Sequence, residues 1–446
     1  MGKIQRIAMW AITGGLWTSP NDLLDVHAGV LPVNLMLECI CHSAVVRTAT
    51  LPASHPLQSM IRGYSKTPAK THLSPLQKLI KRFKIRPRHF ETIRPDPRPP
   101  MYKRAFTVTI ANSKEESIEE EAKDDSDIRI YMDGSGFKGN VGAAAVLYRK
   151  GTKELEKVLC YHLGSLKKHT TFKGEAVGSM LTAWMLQGQP EVGQSKITNY
   201  TDSQAFIRAT GVRKSGPGQY LVMEYLSLTE AMNNDANTLH STGTAKFALS
   251  WVAVHKRVAG NKRVDEEAKK AVQGESSPLE ELPPILHKRL PYSASAVKQE
   301  FVESQKVRWR EAWQGSPHYA RFQHVDPDFP FNKFRKLSER LSRSQASLMM
   351  QLWMGHIPLN SYLHCIKKSA TRRCESCWGI VRWEVTETVI HFLFECQAYA
   401  AEQYNMDRVL GHQSRDLQGI MASLDGVVEV CGQNGQVQEN TRGCPR

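Results

Sequence analysis

The spacing of apolar residues changes character near residue 128, and the change predicts a domain of alternating strands and helices. Over residues 128–275, short runs rich in β-branched and aromatic residues alternate with segments whose apolar residues recur at helical spacing. The predicted order is three strands, a helix, a fourth strand, two helices, a fifth strand and a closing helix. Strands interleaved with helices that fold back over them indicate a layered α/β structure.

The segments that flank this domain are predicted from their composition. Residues 1–105 are expected to be helical at first and basic later, because 61–105 contains 13 Lys or Arg against two acids. Within 106–127, the run SKEESIEEEAKDDSD contains eight acids and no aromatic residue, so a linker is predicted there. Three further segments are predicted: a charged helical connector at 276–345, a helical segment with clustered cysteines at 346–411, and a disordered tail at 412–446.

The net charge of the chain predicts an anionic partner. Its 446 residues include 59 Lys and Arg against 44 Asp and Glu, a formal charge of +15. Such a balance favours nucleic acid first and an acidic membrane surface second, with a basic soluble protein as the alternative. No apolar run approaches the roughly 18 residues of a membrane span, and the apolar run at the amino terminus is too short for a secretory signal.

Three of the nine cysteines lie close to a histidine in the sequence. Cys374, Cys377, His391 and Cys396 follow the spacing C-x2-C-x13-H-x4-C, and three thiolates with one imidazole suit a tetrahedral structural zinc site. A half-buried cysteine cluster without metal is the alternative. This usage of cysteine predicts a reducing, intracellular compartment. With zinc bound, the neighbouring residues expected to contact nucleic acid are Arg372, Arg373 and Trp378.

Four acids and a histidine occupy positions that a sheet and its helices can bring together. Asp133 lies within the first predicted strand, Asp202 ends the fourth, and Glu175 is in the first turns of the helix between them. Asp265 is placed at the start of the closing helix, ten residues after His255. Clustered carboxylates raise one another's pKa unless a cation neutralises them, and oxygen ligands alone predict Mg²⁺ or Mn²⁺. Two such ions about 4 Å apart can clamp both oxygens of a phosphodiester displacement.

Taken singly, each of these acids is explained as well by a surface carboxylate or a helix cap. The motifs around them narrow the interpretation: YMDGSG, FKGEA, NYTDSQAFI and WVAVHKRVAGNKRVDEEAKKA occur in this order. Together they resemble the type 1 ribonuclease H domain, and more narrowly the version that follows the reverse transcriptase in non-LTR, LINE-type retrotransposons. The resemblance covers residues 128 to about 272.

This resemblance implies a ribonuclease-H-like mixed five-stranded sheet with flanking helices, plus helical segments at both ends of the chain. It implies that the RNA strand of an RNA–DNA hybrid is the substrate, and that His255 assists proton transfer or product release. The implied ligands of two Mg²⁺ or Mn²⁺ ions are Asp133, Glu175, Asp202 and Asp265. Gly174, Ser203 and Val254 depart from the residues usual in the family, and none of them removes a ligand.

Contacts to the hybrid are expected next to the motifs. The glycines after Asp133 are expected to let the backbone approach the minor groove, whose 2′-hydroxyls distinguish RNA from DNA. A basic group ahead of Glu175 is a candidate for phosphate contact, with a solvated charged face as the alternative. The candidate nucleic-acid residues are Gly134, Ser135, Lys167, Lys168, Lys173 and Ser203.

The ends of the chain carry weaker resemblances to the same elements. AITGGLWTSPNDLLDVHAGVLP resembles the segment that joins polymerase to ribonuclease H, and the cysteine cluster resembles a zinc-knuckle-like CCHC segment. The chain is therefore expected to be the distal piece of a polyprotein without its polymerase. The leading hypothesis is a metal-dependent endonuclease for RNA–DNA hybrids. The alternatives are an inactive nucleic-acid-binding remnant and a nuclease of the same fold that cuts DNA.

Overall fold

A computed structural model of the chain describes residues 2–66, 72–151, 155–187, 192, 195–239, 246–253, 258–322, 328–411, 417 and 420. The chain forms two units, residues 1–38 with 304–446 and residues 39–303, and each is described by itself. The helices are α1 Gly2–Thr13, α2 Asn21–Ala28, α3 Val33–Ala49, α4 Pro56–Lys66, α5 Pro75–Arg82, α6 Lys114–Ala122, α7 Thr171–Leu186, α8 Gln204–Gly211, α9 Gln219–Leu239, α10 Ala259–Val272, α11 Ala294–Gln314, α12 Tyr319–Phe322, α13 Asn332–Ser338, α14 Arg343–Met354, α15 Asn360–Cys365, α16 Glu375–Val381 and α17 Ala400–Leu410.

A six-stranded mixed sheet, in the order β1-β6-β5-β2-β3-β4, forms the centre of the unit 39–303. The strands are β1 Thr107–Thr109, β2 Ile128–Phe137, β3 Asn140–Arg149, β4 Lys157–Ser165, β5 Lys196–Thr201 and β6 Lys246–Trp251. Strands β2, β3 and β4 pair antiparallel, whereas β5 runs parallel to β2 and β6 runs parallel to β5. The predicted α/β class with a ribonuclease-H-like mixed sheet is confirmed, and β2 to β6 are the five predicted strands.

The sixth strand, β1, lies within the segment that the sequence predicts as a linker. It pairs parallel with β6 at the edge of the sheet, Thr107 opposite Ala248. The same segment contains α6, from which Glu121 accepts a hydrogen bond from the Tyr131 hydroxyl. Just beyond α6, Asp124 accepts one from the Tyr200 hydroxyl at 2.8 Å. Two tyrosines on the sheet therefore bind acids whose local pattern resembles that of an unstructured segment.

Helices cover both faces of the sheet. On one face Ile128, Ile130 and Met132 of β2 pack in a core that includes buried residues of α7. On the other face Tyr131 packs with α10 residues and stacks on Tyr200, with ring centroids 5.1 Å apart. A strand buried on both faces has little polar alternation, which explains the nearly continuous apolar run of β2.

The turn between β2 and β3 lies beyond the glycines of YMDGSG. Strand β2 continues through its glycines to Phe137, and the chain reverses at Lys138 and Gly139, whose φ angles are +47° and +81°. Two residues with positive φ match the twist of a two-residue hairpin. The glycines of YMDGSG therefore lie within strand β2 and do not form the turn.

The unit of residues 1–38 and 304–446 is helical. Its apolar core includes Leu24, Trp309, Trp313 and Met350, all buried. No single described helix is long and apolar enough to cross a membrane, although the bent pair α2 and α3 meets that test in length and composition. The predicted tail 412–446 lies outside the described residues, apart from 417 and 420.

Candidate active site

Three of the four predicted acids meet where the pairing between two neighbouring strands, β2 and β5, ends. Met132 of β2 is in register with Thr201 of β5, so the next residues, Asp133 and Asp202, lie side by side. Glu175, the fifth residue of α7, is the third member of the group. One carboxylate oxygen from each of the three lies within 4.8 Å of the other two. Parallel pairing of two strands and one crossing helix therefore builds the cluster that the sequence predicts.

Burial and mutual repulsion make this cluster electrostatically costly. Burial, followed by the charges of Asp202 and Asp265, raises the pKa of Asp133 from 3.8 to about 7. Burial, with repulsion from Asp202 and Asp133, raises the pKa of Glu175 well above its usual range. Among the described residues, buried Oε2 of Glu175 has no hydrogen-bond partner. An oxygen-only donor set with an unpartnered buried oxygen fits a hard divalent ion such as Mg²⁺ or Mn²⁺.

The glycines around the cluster set how closely α7 approaches the sheet. A Cβ added to Gly134 would lie 2.1 Å from the backbone N of Glu175, and one added to Gly136 would lie 2.5 Å from Cγ2 of Thr171. A Cβ on Gly174 would lie 3.1 Å from Cα of Gly134. The expectation that Gly134 admits the minor groove of a hybrid is corrected, because the helix itself occupies that space.

The fourth acid, Asp265, lies outside the group of three carboxylates. Helix α10 begins at Ala259, so Asp265 is in its second turn and does not start the helix as predicted. An early start is possible because Gly260 lies against the Tyr131 ring, 2.2 Å from the position of an added Cβ. Asp265 Oδ2 accepts from Lys269 Nζ at 2.6 Å, yet its charge still contributes to the raised pKa of Asp133.

His255 and Val254 lie outside the described residues. Their part in the site therefore stays a prediction from the resemblance.

The residues predicted to contact nucleic acid differ in their burial and in the partners that they already have. Ser203 caps α8, with its Oγ accepting from Phe206 N at 3.3 Å, and its hydroxyl proton is not used in that bond. Ser135 is half-buried, two residues beyond Asp133 in β2. Lys167 forms a 2.6 Å ion pair with a glutamate of α11, and the Lys168 ammonium is 4.8 Å from the centroid of an aromatic ring. These residues remain candidates.

Lys173 requires a correction. Its side chain is fully buried, with Nζ 3.3 Å from Glu91 Oε2 and 2.7 Å from the Pro291 carbonyl oxygen that it hydrogen-bonds. An ammonium in this position cannot reach a phosphate of a bound duplex. Sequence reasoning missed Glu91, and the available signal was weak: one of two acids in the otherwise basic segment 61–105.

The second group of metal-binding residue types lies in the other unit. Cys374, Cys377, His391 and Cys396 are buried, and their ligand atoms all lie within 4.8 Å of one another. The Sγ atom of Cys396 is 3.8 Å from that of Cys374 and 3.6 Å from that of Cys377. Nε2 of His391 is 3.4 Å from Cys377 Sγ. Zn–S bonds of about 2.3 Å in a tetrahedron require sulfur atoms about 3.8 Å apart, so the group fits zinc.

The surroundings of this group also suit a metal. Burial raises the pKa of the Cys396 thiol to about 12, which disfavours a free thiolate there. The second ring nitrogen of His391, Nδ1, is 3.6 Å from Glu395 Oε2 and has no hydrogen-bond partner among the described residues. Nearby, the Arg373 guanidinium lies over the Trp378 ring at 4.4 Å.

No protein-family model and no curated protein matches the chain. The solved RNase H1 from the halophilic archaeon Halobacterium salinarum NRC-1 is 17% identical, with 33% of this chain and 98% of that chain covered and a TM-score of 0.24. LC11-RNase H1 in complex with an RNA/DNA hybrid is 15% identical. The match covers 33% of this chain and 96% of that chain, with a TM-score of 0.25.

The N-terminal RNase H domain of rv2228c from Mycobacterium tuberculosis, solved as a fusion with maltose-binding protein, is 16% identical. The match covers 32% of this chain and 98% of that chain, with a TM-score of 0.24. The class of the unit 39–303 rests on its own strand order and strand directions. It is an α/β domain of ribonuclease-H-like topology with a carboxylate cluster at the end of its central strands.

Proposed function

We propose that this protein is a metal-dependent endonuclease that hydrolyses the RNA strand of RNA–DNA hybrids. The observation that carries the proposal is the meeting of Asp133, Glu175 and Asp202 within 4.8 Å, two of them with strongly raised pKa values. A cluster that repels itself in this way and has only oxygen donors is suited to hard divalent ions. Perturbed carboxylates of this kind occur mainly at functional sites.

The chemistry follows from what these residues can hold. Asp133, Glu175 and Asp202 would bind Mg²⁺ or Mn²⁺ through carboxylate oxygens. Asp265 lies outside this group and acts on it through its charge. Bound divalent ions supply a nucleophilic water and neutralise the charge on the leaving oxygen. The polypeptide sets the positions of the acids. Asp133 and Asp202 are fixed by strand pairing, and Glu175 is fixed by its place near the start of α7.

The choice of a hybrid as substrate is supported by the sequence motifs. The wide minor groove of an A-like duplex displays 2′-hydroxyls, and polar groups beside the cluster can read them. Ser135 and Ser203 stand next to the acids in the two motifs concerned. The net charge of +15 favours the phosphate backbone. Derivation from a LINE-type retrotransposon is part of the proposal and rests on the same motifs.

A cleavage assay on a labelled hybrid tests this function directly. The full-length protein should cut the RNA strand with Mg²⁺ and leave 3′-hydroxyl and 5′-phosphate ends, and EDTA should stop the reaction. Asp202→Asn should abolish cleavage while hybrid binding stays nearly intact. Glu156→Gln is the matched control, because Glu156 forms an exposed pair with Arg149 beyond the site and should cut normally.

Three outcomes would contradict the proposal. Cleavage in EDTA would show that the reaction does not need divalent ions. Equal cutting of a DNA duplex would show that the protein does not select the RNA strand of a hybrid. Near-normal turnover by Asp202→Asn would remove the site assignment. Hybrid binding without any cleavage by the wild-type protein would instead favour the inactive nucleic-acid-binding remnant.

The cysteine group is proposed to hold one structural zinc ion. Its four ligand types and its spacing of 3.4–3.8 Å between ligand atoms support this role. The role is separate from hydrolysis because a closed set of four protein ligands leaves no position for water or substrate.

A further inference from the structure

A buried ion pair lies beside the first turn of α7. The Lys173 ammonium is 3.3 Å from Oε2 of Glu91, and the two side chains are 0% and 1% exposed. Lys173 Nζ also donates to the Pro291 carbonyl at 2.7 Å and lies 5.1 Å from the centroid of the Tyr220 ring. Burial of two charges is tolerated only when hydrogen bonds satisfy both partners, and the ammonium meets that condition here.

Glu91 connects this helix to two other parts of the same unit. Its Oε1 accepts from the Ala294 amide at 2.8 Å, and its Oε2 accepts from the Gly218 amide at 2.9 Å. Its own amide donates to the Tyr292 carbonyl at 3.1 Å. The carboxylate therefore gathers the segment before the sheet, the start of α9 and the start of α11 around Lys173.

Lys173 and Glu175 project from opposite sides of α7 near its start. Successive helical residues are about 100° apart around the axis, so two residues are separated by about 200°. On the Glu175 side the helix backbone touches the sheet, since a Cβ on Gly134 would lie 2.1 Å from Glu175 N. On the other side Glu91 holds Lys173. The first turn is thus held between β2 and the ion pair.

We propose that Lys173 and Glu91 are positioning residues, which fix the Glu175 carboxylate at the distance from Asp133 and Asp202 that a divalent ion needs. The inference rests on the proposed function, because it concerns the same metal site. It also enlarges the functional unit, since Glu91 and its partners at 291–294 lie outside the ribonuclease-H-like motifs.

Loss of the pair has two separable effects. Lys173→Met leaves a buried carboxylate without its cation, which destabilises the fold, and it releases the outer side of the first turn. Adding Glu91→Gln removes the unpaired charge and should restore part of the stability. The double variant still has no link between α7 and the segment at residue 91, so the position of Glu175 should stay unrestrained.

A matched control is available in the same unit. Arg98 forms a buried pair with Asp96, 4% and 6% exposed, and donates to the Thr210 and Val212 carbonyls at the end of α8. Arg98→Met removes a buried cation of similar size without releasing α7. It should lower stability and leave metal affinity near the wild-type value.

The test measures Mn²⁺ binding by isothermal titration calorimetry on the zinc-loaded full-length protein, at a temperature where every variant is folded. Hydrogen exchange of β2 peptides measures stability in parallel. Lys173→Met should raise the dissociation constant for Mn²⁺ about 10- to 100-fold, the usual cost of losing an outer partner of a metal ligand. The double variant should recover stability but keep the weak affinity.

Unchanged Mn²⁺ affinity in Lys173→Met, or equal weakening in Arg98→Met, would overturn the inference. Joint recovery of stability and affinity in the double variant would also overturn it, because the pair would then be only structural. A wild-type protein that binds Mn²⁺ in this Lys173-dependent way but cuts no hybrid would support the positioning role and contradict only the proposed function.

Discussion

Replacing Asp133 by Asn isolates the electrostatic cost of the carboxylate cluster in the metal-free protein. Burial raises the pKa of Asp133 from 3.8 to about 7, so the folded protein retains a proton that the unfolded chain releases. The stability from this proton is complete below pH 3.8 and is lost progressively as the pH rises to about 7. A displacement of about three pH units corresponds to roughly 4 kcal/mol.

Hydrogen exchange of β2 and β5 peptides measures this effect locally, without interference from unfolding of the other unit. In EDTA, the free energy of opening of Asp133→Asn minus that of wild type should increase by about 3–4 kcal/mol between pH 4 and pH 8. Added Mg²⁺ should stabilise the wild type at pH 8 and have much less effect on the variant. Glu156→Gln is the control, because Glu156 forms an exposed pair with Arg149 away from the cluster, so this variant should respond to Mg²⁺ as the wild type does.

Two results would refute this reasoning. A difference that is the same at pH 4 and pH 8 in EDTA would show that the Asp133 carboxyl is not held neutral by burial. Equal stabilisation of wild type and Asp133→Asn by Mg²⁺ would show that the ion binds elsewhere.

Three further predictions concern packing, zinc and a buried histidine. Gly134→Ala should destabilise the sheet by about 1–3 kcal/mol and weaken Mn²⁺ binding, because the new Cβ would lie 2.1 Å from the Glu175 backbone. Gly216→Ala should do neither, because the space around Gly216 is open. Hydrogen exchange measures the stability of both variants, and calorimetry measures their Mn²⁺ binding. Cys377→Ser should remove one zinc per chain in metal analysis without stopping hybrid cleavage, and an unchanged zinc content would contradict the site. Burial lowers the pKa of His27 from 6.5 to about 3, so stability falls as the pH drops below 6.5. His27→Phe should therefore flatten the dependence of stability on pH in acid unfolding. An unchanged dependence would contradict this prediction.

The sequence predicts those parts of the fold and site that depend on local pattern. Strand β2 is predicted by its apolar, β-branched run, and the helix that contains Glu175 is predicted by its periodicity. Parallel pairing of β2 with β5 then places Asp133 beside Asp202. The start of α10 could not be predicted in this way, because it depends on the close contact between Gly260 and the Tyr131 ring. Helix α6 was missed because Glu121 within it and Asp124 just beyond it bind tyrosine hydroxyls of the sheet, and no local pattern shows these contacts.

Lys173 shows why charge alone misleads. In sequence it belongs to a basic group with Lys167 and Lys168, and a surface that contacts phosphate is the natural interpretation. Its partner Glu91 lies in another segment, and no local spacing connects the two. Only the folded chain shows that this lysine points inward, where it contacts Glu91 and the Pro291 carbonyl.

The position of Asp133 in the middle of a strand follows from this arrangement. The three carboxylates repel one another, so their own interactions cannot hold them together. Strand register fixes Asp133 beside Asp202, and the contact at Gly134 brings the backbone of α7 close enough for Glu175 to join them. The packed sheet and helix thus maintain a concentration of negative charge that the free side chains would avoid. A divalent cation is the partner that relieves this repulsion most directly, since its charge acts on all three carboxylates at once.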